Sequence, residues 1–112
     1  MTEVAKAAEQ IVKTGVVPTN TGSLSASNNY VTPNDGRLFL HVINGGGSTC
    51  NVTIAANKLV DGLTVPDRTV AVLAGTDQMI GPFDKDVYND ANDLISVTFD
   101  FITTVTLAAM RF

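Results

Sequence analysis

The chain has no tryptophan, one cysteine and one histidine, and only 16% of its 112 residues are charged. Each shortage closes off a class of function. A lone Cys50 excludes an intramolecular disulfide and a multi-thiolate metal site. It stands among apolar strand positions, so it reads as a small buried hydrophobe, not as a nucleophile. Zinc wants several His or Cys ligands, and His41 and Cys50 are the whole supply. The net charge is −4. The basic residues Lys6, Lys13, Arg37, Lys58, Arg68, Lys85 and Arg111 are scattered, so no phosphate-binding patch forms and nucleic acid is not expected as a partner. No apolar run approaches the roughly 20 residues of a membrane helix, so no membrane partner is expected either. The first 13 residues carry Glu3 and Glu9 and lack the apolar stretch of a secretory leader. The expectation is a soluble product made inside a cell, which leaves the Asn51-Val52-Thr53 sequon without weight.

The residues present, 45% of them hydrophobic, suit one domain able to bury roughly two-thirds of its unfolded surface. Charge this sparse leaves much neutral exterior, which is tolerable where a partner covers some of it. Residues 3–13, EVAKAAEQIVK, space Val4, Ala7, Ala8, Ile11 and Val12 as a helix would, and Gly15 would stop it. The segment is short for a helix standing alone, so an extended arm that orders against a neighbour is the alternative. VVPTNTGSLSASNNYVTPNDG follows with loop chemistry and room for one short strand near Leu24 or Tyr30-Val31. From residue 37 the pattern becomes strands: RLFLHVIN, CNVTIAA, TVAVLA, DQMIGPF, LISVTFDF and VTLAAMRF. Residues 58–68 read as a connection with turns at Asp61-Gly62 and Pro66-Asp67, and FDKDVYNDAND as a polar turn. The expected fold is all-β: an antiparallel β-sandwich, jelly-roll-like or barrel-like, over residues 33–112, with an extended or partly helical N-terminal arm and linker over 1–32.

Motifs that could carry chemistry lack their companions. Gly45-Gly46-Gly47-Ser48-Thr49 has neither the lysine nor the following helix of a phosphate loop, so it reads as a hairpin connection. Asp84, Asp86, Asp90 and Asp93 with Asn89 and Asn92 could hold Ca²⁺. The calcium-loop template started at Asp84 places Asn89 at its glycine position and Ile95 at its glutamate position, so turn and cap roles are preferred. His41 lies mid-strand beside Phe39 and Ile43 with no nucleophile context near it in sequence. The seven aromatics are mostly Phe at strand positions, which suits core packing better than a sugar-stacking platform, although a small carbohydrate-binding module stays as an alternative. Phe112 is expected to be pinned into the core or an interface. No catalytic, cofactor-binding or metal residue is assigned, and no enzyme is expected.

PNDGRLFLHVINGGG with CNVTI (33–54), VAVLAGTDQMIGPF (70–83) and YNDANDLISVTFDFITTVTLAAMRF (88–112) together resemble a family of small tailed-bacteriophage structural proteins of the head-associated or capsid-decoration type. The likeness covers about residues 33–112. It implies a virion protein, made in the host cytoplasm, that binds the major capsid protein of the assembled head as a homo-oligomer, with a trimer as the expected count. A head–tail joining or tail component is the alternative it allows. It also implies that Asn34-Asp35-Gly36, Gly81-Pro82-Phe83 and Asn89-Asp90-Ala91-Asn92 are architectural.

Overall fold

Strict alternation builds the centre of the molecule. In a computed structural model that describes residues 2–112, Leu38–Asn44 forms a strand whose Leu38, Leu40 and Val42 are fully buried while Phe39, His41 and Ile43 face outward. A period of two puts successive side chains on opposite faces, and the apolar run follows that period. The same logic holds for Cys50–Ile54, Leu94–Phe99 and Val105–Arg111, which bury Val52 and Ile54, Ile95 and Val97, and Val105 and Leu107.

Eleven strands and one helical turn are present among the described residues: β1 Thr2–Ala5, β2 Glu9–Gln10, β3 Asn28–Pro33, β4 Leu38–Asn44, β5 Cys50–Ile54, β6 Leu59–Val60, β7 Leu63–Thr64, β8 Arg68–Val72, β9 Asp77–Ile80, α1 Lys85–Tyr88, β10 Leu94–Phe99 and β11 Val105–Arg111. They form a five-stranded sheet in the order β1-β3-β10-β5-β8 and a four-stranded sheet in the order β2-β11-β4-β9, with β6 and β7 as a separate hairpin. The inward faces of both large sheets supply one continuous apolar core. From β3 onward the chain mostly alternates between the two sheets. Only β5 and β8 are sheet neighbours among successive long strands.

At the N-terminus the extended alternative forms, and two expectations are corrected, the helical reading and the wholly antiparallel pairing. EVAKAAEQ is not helical, although Ala, Glu and Lys favour helix and its apolar spacing suits one. It is extended: β1 pairs in parallel with β3, the chain crosses over at residues 6–8, and β2 pairs in parallel with β11. A helix there would leave the edges of both β3 and β11 unpaired, and edge pairing outweighs a weak local propensity. The sheets are therefore mixed, not wholly antiparallel. Both parallel pairings belong to this segment, and every other ladder is antiparallel. Lys6 locks the crossover, donating from Nζ to the Thr19 carbonyl at 2.9 Å and to Thr21 Oγ1 at 2.7 Å. Burial lowers its pKa, and Glu9 opposes that shift.

The connections also differ in two places from their sequence reading. Residues 58–68 contain the β6–β7 hairpin, whose turn residues Asp61 and Gly62 both take positive φ. The polar stretch after Phe83 contains α1, capped by the Asp84 carboxylate, which accepts from the Asp86 amide.

Candidate functional site

The conspicuous motifs meet at one end of the molecule and hold it together. Asn34 is buried, and its Nδ2 donates to the Phe83 carbonyl at 3.1 Å and to Asn89 Oδ1 at 2.7 Å. Asn89 Nδ2 returns a bond to the Asn34 carbonyl at 2.8 Å, and Asn34 Oδ1 accepts from the Gly36 amide. Thus three sequence-distant motifs, the corner at 33–36, the strand end at 81–83 and the polar segment at 89–92, are one joint. Asp90 Oδ1 accepts from the amides of Asn92 and Leu94, closing the turn into β10. Asp84 and Asp90 are thereby occupied as caps. Among the described residues no three His, Cys, Asp or Glu side chains converge as metal ligands.

A similar asparagine serves the other end. Asn44 Nδ2 donates to the carbonyls of Ser48 and Val72, and its Oδ1 accepts from Gly46. Within the triglycine loop the steric demand falls on Gly46. A Cβ on Gly46 would lie 2.5 Å from the Thr103 carbonyl oxygen and 2.6 Å from the Phe101 ring. Cys50 is fully buried opposite Val72, and burial raises its pKa.

His41 lies on the outer face of β4, and its Nε2 is 2.7 Å from Asp77 Oδ2 on β9. What surrounds it is apolar. Met79 stands opposite it on β9 and Ala108 on β11, and two residue pairs further along Phe39 faces Met110. The loop after β2 leaves beside Arg111, bows over this face and returns where Thr21 bridges Leu107. Between them lies a hollow of about 230 Å³ lined by Ile11, Val16, Pro18, Phe39, His41 and Met79, over buried Met110. A second hollow of about 260 Å³ adjoins it, sharing Phe39 and Met79 and adding Pro82 and Phe112.

The four-stranded sheet thus carries an apolar trough on its outside. Met79 is 70% exposed and Phe112 54% exposed. Phe112 is therefore outside the core. Its ring lies against Phe39 at a centroid distance of 6.3 Å, and its amide donates to the Arg37 carbonyl. The other aromatics pack inward: Tyr30 meets Phe99 edge-on, and Phe83 meets Tyr88 edge-on.

Charge gathers where β4 begins and β11 ends. Asp35 pairs with both Arg37 and Arg111, so two guanidinium groups share one carboxylate. The Arg37 amide, followed by the two guanidinium groups, holds Asp35 below the usual carboxylate range. The trough was only partly visible in the sequence. The apolar outer face of β4 showed in RLFLHVIN, whereas the contributions of residues 11–18 and of Met79 depend on long-range pairing. Comparison with family models, with curated proteins and with solved structures finds no match to this chain.

Proposed function

We propose that this chain is a non-enzymatic phage virion protein, a capsid-decoration component that binds the major capsid protein of the assembled head as a homo-oligomer and stabilises the shell. One observation carries the reading: the molecule has a well-packed core yet leaves large apolar side chains uncovered on a rigid sheet face and on a hairpin. Monomeric soluble proteins rarely expose contiguous apolar surface of this kind without a use for it. The likeness of residues 33–112 to phage head-associated proteins supplies the setting. The motifs carrying that likeness act as joints between strands, which is what a structural role asks of them. His41 supports the same reading, since its ring contributes to an apolar wall and its Nε2 is engaged by a single carboxylate. The finer fold assignment belongs to this proposal as well: a β-sandwich, with the jelly-roll-like or barrel-like closure made by the N-terminal segment that edges both sheets.

Stabilisation would come from burial of apolar surface across subunit joints, whose interiors are less polar than ordinary protein surface. The test is co-sedimentation of the purified protein with empty shells lacking it. Saturable binding at many sites per shell supports decoration. Binding at one vertex only supports the head–tail joining alternative. Absence of binding to such shells overturns both.

A further inference from the structure

We propose that Asp61-Gly62, at the tip of the β6–β7 hairpin, is a self-modification site, where the aspartyl peptide closes to a succinimide and reopens as isoaspartate. The inference stands apart from the capsid reading and asks for no partner.

The chain holds three Asn-Gly or Asp-Gly pairs: Asp35-Gly36, Asn44-Gly45 and Asp61-Gly62. Ring closure is easiest at such pairs, because glycine has no Cβ to hinder its own attacking nitrogen. It needs a free side-chain carbonyl carbon, an uncommitted glycine amide and a main chain loose enough to bring them together. The fold withholds these at two of the three pairs. Asn44 is buried, its Nδ2 donates to the Ser48 and Val72 carbonyls, and the Gly45 amide is committed to the Thr104 carbonyl at 2.9 Å. Asp35 Oδ1 accepts from the Arg37 amide and its Oδ2 pairs with Arg37 and Arg111. The Gly36 amide is committed to Asn34 Oδ1 at 3.0 Å.

Asp61-Gly62 has none of these restraints. Both residues are exposed. Among the described residues, neither the Asp61 carboxylate nor the Gly62 amide has a hydrogen-bond partner. Chain neighbours aside, no atom lies within 4 Å of the place a Cβ on Gly62 would take. The turn is also easy to loosen. It is closed by strands of two residues each, all four of them exposed, and a hairpin packed on nothing is marginal in water.

The chemistry needs no co-reactant but water. The Gly62 nitrogen attacks Asp61 Cγ, a nitrogen–carbon bond forms, and the carboxyl hydroxyl leaves with the amide proton as water. Water then reopens the ring. Attack at Cγ breaks the new bond and restores aspartate. Attack at the Asp61 main-chain carbonyl breaks the original peptide bond and leaves the chain running through Cγ. Nothing is oxidised or reduced, and the product has the mass of the starting chain. It carries one extra methylene in the main chain of a two-residue turn, so the Val60–Leu63 pairing loosens. The hairpin is separate from both large sheets, so the core is left intact.

The test ages the full-length folded protein in warm neutral buffer and maps it with trypsin, which separates the three pairs into residues 14–37, 38–58 and 59–68. Electron-transfer fragmentation locates isoaspartate, and methyl transfer from S-adenosylmethionine by a protein-isoaspartate methyltransferase counts it. Isoaspartate should accumulate at Asp61 about tenfold or more above either restrained pair. In concentrated urea the order should reverse, because Asn44, an amide, closes its ring faster once released. Asp61→Asn should speed the reaction at this position, since asparagine serves the same turn. Asp61→Glu should abolish it, since the ring would be one atom larger. The comparison among the three native pairs needs no variant, so a misfolded variant does not spoil it. Folded protein without isoaspartate in 59–68, a yield at Asp61 no higher than at the restrained pairs, or an order unchanged by urea each overturns the proposal.

Discussion

Replacing Asn34 by alanine tests whether the recurring polar motifs are joints. The side chain makes three hydrogen bonds, to the Phe83 carbonyl, to Asn89 Oδ1 and from the Gly36 amide. Alanine removes all three and leaves the partners behind. A net hydrogen bond contributes about 1 kcal/mol, and a buried group left unpaired costs about 1–3 kcal/mol. The Phe83 carbonyl bond is buried, whereas Asn89 and Gly36 are half-buried and water can replace part of what they lose. The expected cost is therefore about 2–3 kcal/mol. At about 4 °C per kcal/mol for a domain of this length, Tm should fall by about 8–12 °C. Calorimetry of Asn34→Ala, Asn89→Ala and the double variant would also give the coupling, expected near 1 kcal/mol because the two side chains bond reciprocally. Asn92→Ala is the control: that side chain is exposed, and the change should stay within about 0.5 kcal/mol. A fall in Tm below about 2 °C for Asn34→Ala, or strictly additive costs, would show that the corner is not held in this way.

Three further outcomes follow from the same structure. Gly46→Ala should destabilise by about 1–3 kcal/mol in urea unfolding, because its Cβ would overlap the Phe101 ring and the Thr103 carbonyl. Lys6→Ala should cost about 1–2 kcal/mol and speed amide exchange in β1 and β2 well before that in β4, since the lost bonds tie only the crossover to residues 19–21. Asp35 and Asp100 both titrate below the normal aspartate range, Asp100 first through the Asn51 side-chain amide and then through its backbone amide. The unfolded chain therefore binds protons that the folded chain does not. The stabilisation is complete above about pH 4 and is lost as pH drops through the folded-state values. Asp35→Asn with Asp100→Asn should flatten the acid limb of the urea midpoint against pH.

The strands that bury one face in strict alternation were legible, because their periodicity is local. RLFLHVIN, CNVTI and LISVTF show it without ambiguity, and all three are strands. The N-terminal segment was not legible for the same reason in reverse. EVAKAAEQ has helical spacing and helix-forming residues, and what makes it extended is the free edges of β3 and β11, which lie outside any local window. LVDGLT carried the Asp-Gly signal of a two-residue hairpin, but its strands are too short for alternation to register. The apolar trough was half legible: Phe39 and His41 could be placed outward on one strand, while Met79, Met110 and Ile11 reach them only through pairing across the fold.

The way the opening residues seam both sheets has a consequence for how the protein matures on the ribosome. β1 can find β3 early, but Glu9 must wait for Met110, about a hundred residues later in synthesis. The seam therefore fastens last, after the core has condensed around β4, β5 and β10. Until then the nascent chain presents the raw border of its second sheet to solvent, so chaperone demand and misassembly should concentrate in that final interval.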